Sequence, residues 1–208
     1  YLQPKGYDSL HLIEPEGADS HLHYRLDDGK IEFQFRPEQF VQVNGDMNEK
    51  MLAQTLEWLD LKSEDRVLDL FCGIGNFSLP VAKRVAHVTG IEGDDSAVKQ
   101  ARINAGHNNL NNTDFDVCNL FELPAQADWI NTSYNKMLLD PPRAGAEEIV
   151  NKIDRFQPET IVYVSCHPAT LARDTKTLTE AGYTLQKVGI MDMFPHTQHV
   201  EAMALFTK

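Results

Sequence analysis

The sequence predicts an α/β protein built on a doubly wound, mostly parallel sheet of seven strands. Three observations predict it. From residue 66 onward, short apolar runs alternate with stretches of helical periodicity, as in βαβ units. The last two apolar runs have only a short turn at Pro195-His196 between them, which indicates an antiparallel final pair. A turn containing Gly73 and Gly75 follows the first run, where such sheets bind ligands.

A small β element is predicted ahead of this sheet. Apolar and polar residues alternate over 22–26 and again over 31–35, and Asp28-Gly29 between them favours a turn. The pattern predicts a β-hairpin. We therefore divide the chain into a hairpin remnant of an N-terminal region, residues 1–45, and a main domain, residues 46–208.

The elements of the main domain follow from their apolar periodicity. The predicted strands cover 67–70, 87–92, 115–118, 137–139, 161–165, 183–193 and 200–207. The predicted helices cover 47–59, a segment from about residue 76, 96–108 and 169–181.

Composition narrows the class of protein. The 208 residues, 42% of them hydrophobic, are enough for one full core. No apolar run reaches the ~18 residues that a membrane helix needs, so we expect no membrane partner. The three cysteines are widely spaced, which argues against a disulfide framework or a zinc site and favours a reducing cytosol. The chain opens on Tyr1 without a signal peptide, so we expect a piece of a longer cytoplasmic protein.

The net charge of -12 argues against a protein that grips nucleic acid over its whole surface, because phosphate binding relies on Lys and Arg. Residues 1–60 carry 5 basic and 12 acidic side chains and so contribute -7 of this charge. A local basic cleft elsewhere is still compatible with an RNA substrate.

The loop after the first strand has the features of a nucleotide-type cofactor site. Gly73 and Gly75 supply two glycines of the dinucleotide fingerprint, and Ser78 stands in place of the third. Glu92 ends the next strand at about the ~20-residue offset at which a carboxylate can bind ribose hydroxyls. These features favour S-adenosylmethionine (SAM) or a related cofactor, against the alternative that the glycines only turn the chain.

Asp140-Pro141-Pro142-Arg143 closes the fourth strand and faces the same edge of the sheet. Amino-methyltransferases use a similar Asp-Pro-Pro followed by an aromatic residue, but this chain has Arg143 at that place. A proline-rich turn without a role in chemistry is the alternative.

Cys166 ends a buried apolar run, and Glu201 lies within another. A thiol and a desolvated carboxylate beside a cofactor loop indicate a nucleophile and a base. Pro168 favours a helix that begins just after Cys166, which is expected to lower the pKa of the thiol. Burial among Val200 and Ala202 is expected to raise the pKa of Glu201. Taken alone, a single cysteine at a strand end is more often a small buried hydrophobe.

At these residues the sequence resembles the RNA uracil-5-methyltransferases, and most of all the members that act on 23S ribosomal RNA. The resemblance is carried by the segments 40–44, 69–77, 140–143, 165–174 and 192–201. His167 stands where the family often has Asn. The resemblance implies a Rossmann-like SAM-dependent methyltransferase fold, with residues 46–208 as its catalytic domain.

The same resemblance implies the roles of the site residues. Cys166 would be the nucleophile that adds to C6 of uracil, and Glu201 the base that removes the C5 proton. The implied contacts to SAM, whose product is S-adenosylhomocysteine, are Gln42, Phe71, Gly73, Asn76, Glu92, Asn119 and Asp140. Arg143 and Arg173 are candidates for holding RNA phosphate, and His196 and His199 either contact phosphate or shape a turn. The family's full-length ribosomal enzymes carry a four-cysteine iron-sulphur cluster, whose ligands are not identifiable in this chain.

The expected activity is therefore C5-methylation of a uridine in 23S ribosomal RNA by a cytoplasmic monomer. Two other classes stay open at this point. One is methylation of an exocyclic amine through Asp140-Pro141-Pro142, which needs no thiol, and the other is a non-catalytic module that binds SAM or a protein partner. Within C5-methylation itself, a uridine in tRNA is an alternative substrate.

Overall fold

A computed structural model describes residues 13, 21–197 and 200–208. The other residues of the 1–20 segment, together with Gln198 and His199, lie outside the described residues, so the prediction for His199 concerns a residue not described. The predicted hairpin is present as β1 (Leu22–Leu26) and β2 (Ile31–Phe35), which pair antiparallel with Leu26 opposite Ile31.

The predicted seven-stranded, mostly parallel sheet is confirmed. Its strands are β3 (Arg66–Leu70), β4 (His87–Glu92), β5 (Thr113–Val117), β6 (Lys136–Leu139), β7 (Thr160–Ser165), β8 (Thr184–Met191) and β9 (Glu201–Thr207). Their order across the sheet is β5-β4-β3-β6-β7-β9-β8. Within this sheet, as far as the structure describes it, only the pairs that involve β9 are antiparallel. The strand order reverses direction between β3 and β6, and this switch point is where doubly wound sheets bind ligands.

Five α-helices connect the strands in the described part of the chain: α1 (Gly45–Leu59), α2 (Ser78–Ala82), α3 (Asp95–His107), α4 (Glu147–Val150) and α5 (Pro168–Glu180). The side chains of Asn44, Asp94 and His167 cap α1, α3 and α5 by accepting a backbone N–H of the first turn. No helix within residues 21–197 or 200–208 combines the length and apolar content that crossing a bilayer requires.

The hairpin is packed into the main hydrophobic core. Leu26, Ile31 and Phe33 are buried in the same cluster as Met51 and Leu59 of α1. The boundary that we predict between residues 45 and 46 therefore separates residues that share one core.

Polar contacts reinforce this packing. The backbone N–H of Glu32 and of Gln34 donate to the side chains of Asn108 and Asn104, both at 3.0 Å. The Arg84 guanidinium donates to both carboxylate oxygens of Asp27 at 2.7 and 2.9 Å. The hairpin is thus tied to α3 and to the loop after α2.

Candidate functional site

A cavity of about 490 Å³ opens at the carboxyl ends of the parallel strands. The predicted site residues that line it are Gln42, Phe71, Gly73, Asn76, Glu92, Asn119, Asp140, Arg143, Cys166 and Glu201. Residues separated by more than 150 positions in the chain therefore share one cavity, because the strands that end there are neighbours in the sheet.

The glycine turn forms one wall. Gly73 and Gly75 have φ angles of 54° and 93°, a region that favours glycine. A Cβ at Gly75 would lie 3.1 Å from the Leu79 side chain, so the backbone and α2 pack closely here. Glu92 holds the turn in place, since its carboxylate accepts from the backbone N–H of Gly73 at 3.1 Å. Glu92 Oε1 accepts from the backbone N–H groups of Gly93 and Asp94 at 2.6 and 3.1 Å. Oε2 therefore keeps acceptor capacity for a ligand hydroxyl.

An aromatic pair forms a second wall. The rings of Phe71 and Phe121 lie 5.9 Å apart at 54°, and Phe121 is half exposed to the cavity mouth. The loop carrying Phe121 is turned by Asn119, whose side-chain oxygen accepts the Phe121 N–H at 3.1 Å. Two aromatic faces beside a carboxylate that can accept hydroxyl protons suit a nucleoside.

Asn76 is held by residues from two other elements. It exchanges two hydrogen bonds of 3.0 Å with the side chain of Asn48 on α1. The Tyr24 hydroxyl donates to Asn76 Oδ1, also at 3.0 Å. Tyr24 itself lines the cavity, so the hairpin contributes directly to the site.

The strand register places the thiol beside the carboxylate. Ser165 of β7 lies opposite Ala202 of β9 in the last pair of the antiparallel register, and the register continued by one residue brings Cys166 near Glu201. Side chains directly opposite each other in such a pair have Cβ atoms about 4.5–5.5 Å apart. Both side chains line the cavity at the end where Asp140 closes β6.

The acid–base properties follow from burial and from neighbouring charges. Burial raises the pKa of Glu201, as the sequence predicted. Burial, with Glu201 and Asp69 nearby, raises the pKa of Asp140 well above its usual range. The predicted lowering of the Cys166 pKa is wrong: burial and the charges of Glu201 and Asp140 raise it, and Arg143 opposes them.

The two arginine candidates have different surroundings. Arg143 lines the cavity beside Cys166. Arg173 lies outside the cavity lining, where its guanidinium pairs with Asp174 at 2.8 Å and with Glu147 at 3.2 Å.

Sequence reasoning missed Tyr24, Asn48 and Phe121. Phe121 had a signal, because it is an aromatic residue two positions after a predicted cofactor contact. Of the histidines, His167 caps α5 and His196 lies in an exposed turn with a φ of 67°.

A seven-stranded sheet in this order, a glycine turn after β3 and a carboxylate that closes β4 define the class of SAM-dependent methyltransferases. Within this class, the chain belongs to the family described as tRNA (Uracil-5-)-methyltransferase, whose sequence profile matches residues 19–208.

Curated relatives are similar over the whole chain. A protein of Legionella pneumophila (strain Corby) named 23S rRNA (uracil(1939)-C(5))-methyltransferase RlmD is 51% identical over 100% of this chain and 47% of its own length. A protein of the same name from Hahella chejuensis is 50% identical over 100% of this chain and 48% of its own. The chain thus spans about half the length of these relatives.

Solved structures support the same fold. The tRNA (uracil-54, C5)-methyltransferase of Pyrococcus abyssi, in complex with S-adenosyl-L-homocysteine, superposes with a TM-score of 0.76 at 33% identity, over 90% of this chain and 44% of the other. TYW2 of M. jannaschii in complex with AdoMet shares the fold, with a TM-score of 0.66 at 18% identity over 92% and 88% of the two chains.

Proposed function

We propose that this protein methylates C5 of a uridine in RNA with SAM as the methyl donor, and that its substrate is 23S ribosomal RNA. The observation that carries the proposal is that Cys166 and Glu201 line one cavity together with the glycine turn and Glu92. An amino-methyltransferase has no use for a thiol paired with a carboxylate in this position.

The cavity fits SAM. Glu92 has an oxygen available to ribose hydroxyls, and Phe71 with Phe121 offers apolar faces for adenine. The carboxyl groups of Asp140 and Glu201 line the Cys166 end, where a cationic ligand would stabilise their ionised forms. When bound, SAM supplies an electrophilic methyl group.

The chain's own residues account for the remaining chemistry. The Cys166 thiolate adds to C6 of uracil, which breaks the C5–C6 double bond and moves the electron pair into an enolate, so that C5 becomes nucleophilic. After C5 has gained the methyl group, Glu201 removes the C5 proton. The double bond then forms again and the Cys166 thiolate leaves. Burial raises the pKa of Glu201 and so makes it a stronger base for this step.

The substrate must enter as an extruded nucleotide, because C6 and C5 of a stacked base cannot reach Cys166. Phe40 is 80% exposed and lines the cavity, which suits stacking against a base. Arg143 is the candidate for the phosphate, and Arg173 is a weaker one because carboxylates already surround it. The monomer expected from the sequence stays a prediction, and the proposed ribosomal RNA substrate supports a cytoplasmic location.

The iron-sulphur cluster that the resemblance implies does not fit this chain by itself. The chain has three cysteines, one fewer than a four-cysteine cluster needs. Cys72 is buried, and Cys166 is assigned to the reaction. No step of the mechanism depends on the cluster.

The test uses the complete protein with SAM and RNA that contains 5-fluorouridine. Fluorine at C5 cannot leave as a proton, so we expect a covalent protein–RNA complex whose attachment maps to Cys166 by mass spectrometry. Cys118→Ala, which removes another partly exposed thiol outside the cavity lining, should still form the complex. Glu201→Gln should accumulate the adduct even with ordinary uridine. Methylation without any adduct would support amino-methylation instead.

The choice of substrate is tested separately. Unmethylated 23S ribosomal RNA and tRNA transcripts would be offered in parallel, and the methylated nucleotides mapped. The 51% identity to proteins named for 23S rRNA, against 33% to one named for tRNA, supports ribosomal RNA. Methylation of tRNA alone would overturn that choice.

A further inference from the structure

A fully buried carboxylate on α5 connects three segments behind the site. Asp174 is 0% exposed. Its Oδ2 accepts from the Tyr163 hydroxyl at 2.6 Å and from the Ala146 N–H at 2.8 Å. Its Oδ1 accepts from Arg173 Nε at 2.8 Å. A buried charge with this many donors is satisfied, and removing a donor or the carboxylate leaves buried polar groups without partners.

The loop after β6, residues 140–146, is bound to α5 by hydrogen bonds of this kind and is called here the Asp140 loop. Arg173 Nη2 donates to the Ala144 carbonyl at 3.0 Å. Gly145 has a φ of 80°, and a Cβ there would lie 2.6 Å from Arg173 Nη2 and 2.8 Å from Asp174 Oδ2. The Asp140 loop therefore lies against α5 with no room for a side chain at residue 145.

This contact links the two reactive parts of the cavity. The Asp140 loop carries Asp140 and Arg143 into the cavity, while α5 begins at Pro168, two residues after Cys166. Tyr163 lies on β7, three residues before Cys166. The Asp174 hydrogen bonds thus join the strand before the thiol, the helix after it and the loop across the cavity.

We propose that Asp174 and Arg173 are positioning residues that fix the Cys166 thiol relative to the Asp140 loop, and so set the geometry in which the thiol meets its substrate. The inference rests on the proposed function, because it assigns the nucleophile to Cys166. It also gives Arg173 a role other than phosphate binding: its guanidinium is engaged by Asp174 and Glu147 on the side of α5 that faces the loop.

The main test compares variants of the complete protein. Asp174→Asn preserves the shape of the side chain but loses the charge that pairs with Arg173. Misplacement of reacting groups by about 1 Å can cost on the order of a hundredfold in rate. We therefore expect the single-turnover methylation rate to fall about tenfold or more while the Kd for SAM changes less than about twofold. Gly145→Ala should act in the same direction, because the added Cβ separates the loop from α5.

Gly182→Ala is the matched control. Gly182 follows α5 and has a φ of 94°, so alanine there is strained like alanine at 145, but a Cβ would meet nothing within 4 Å. We expect its methylation rate to stay near that of the wild type. If Gly182→Ala slows the reaction as much as Gly145→Ala, the loop contact has no specific role and the proposal is overturned.

A salt titration with Arg173→Gln separates positioning from phosphate binding. A lost phosphate contact would raise KM for RNA and reduce the salt dependence of binding by about one charge. Positioning predicts a lower kcat with an unchanged salt dependence. A reduced salt dependence with normal kcat would refute the assignment of Arg173.

The rate of adduct formation with 5-fluorouridine RNA distinguishes the two levels of inference. If the wild type forms no adduct, the proposed function fails. If the wild type forms it and both Asp174→Asn and Gly145→Ala form it at the same rate, only the positioning role fails. Should Asp174→Asn not fold, as judged by circular dichroism, Gly145→Ala and the milder Tyr163→Phe decide the question.

Discussion

Asp69 makes the stability of the fold depend on pH in a way that one substitution should remove. The side chain of Asp69, on β3, lies in the core behind the glycine turn and is 1% exposed. Its Oδ2 accepts from the Ser78 hydroxyl at 2.5 Å, and its Oδ1 has no hydrogen-bond partner among the described residues. Burial raises the pKa of Asp69 from 3.8 to about 7.

The sign follows from proton binding. Between pH 3.8 and about 7 the folded protein keeps a proton on Asp69 that the unfolded chain has lost, so stability falls as pH rises. At ~1.36 kcal/mol per pKa unit, the total loss from this group is about 4 kcal/mol. About 2.5 kcal/mol of it falls between roughly pH 5 and 8.

The assay is urea unfolding of wild type and Asp69→Asn at several pH values in that window. The difference in the free energy of unfolding between the two proteins should shift by about 2.5 kcal/mol toward the variant as pH rises from about 5 to 8. Any constant cost of the asparagine cancels in this shift. Ser78→Ala, which removes a hydrogen bond that lowers the Asp69 pKa, should extend the pH-dependent range upward. A flat difference would mean that Asp69 is ionised in the fold and that its buried Oδ1 has a partner.

Three further predictions concern the site. Cys166→Ala should abolish methylation while the Kd for SAM, measured by calorimetry, stays within about twofold, because the thiol is assigned to uracil and not to the cofactor. Arg143→Gln should move the pH profile of Cys166 alkylation by iodoacetamide to higher pH, since the Arg143 charge opposes the rise in the pKa of the thiol; an unmoved profile would place that charge elsewhere. Tyr24→Phe should weaken SAM binding several-fold, because it removes a hydrogen bond to Asn76 with a net value of ~1 kcal/mol and leaves the ring in place. An unchanged Kd for SAM would exclude the hairpin from the site.

The positions of the strands along the chain, and the parallel type of most of them, could be predicted. Buried parallel strands have near-continuous apolar runs, and helical stretches separate these runs in the sequence. Boundaries were less accurate for physical reasons. The first helix begins at Gly45, two residues before the predicted start, because the Asn44 side chain caps it by accepting the Met47 N–H. The helix after the glycine turn begins at Ser78, two residues after the predicted start near residue 76, and has only five residues, Ser78–Ala82.

The reactive residues of the site were predicted better than the residues that hold the site in place. Cys166 and Glu201 lie in apolar segments, where a polar side chain is conspicuous in the sequence. Their neighbourhood follows from the β7–β9 register, which local periodicity does not determine. The Tyr24–Asn76 bond spans 52 residues and joins side chains that are ordinary for a strand and a turn, so no local pattern indicates it.

The distribution of charge reconciles an acidic chain with the proposed RNA substrate. Asp140 and Glu201 share the cavity with Cys166, and burial together with their charges raises the pKa of the thiol. Positive charge brought to this end of the cavity therefore opposes the rise in the pKa of Cys166, Asp140 and Glu201. Arg143 already does so, and a cationic methyl donor would act in the same direction. Glu201 is assigned to the C5 proton of uracil, and Arg143, not a carboxylate, is assigned to the phosphate. Among the described residues of the segment 1–60, which carries -7 of the net charge of -12, no acidic side chain lines the cavity.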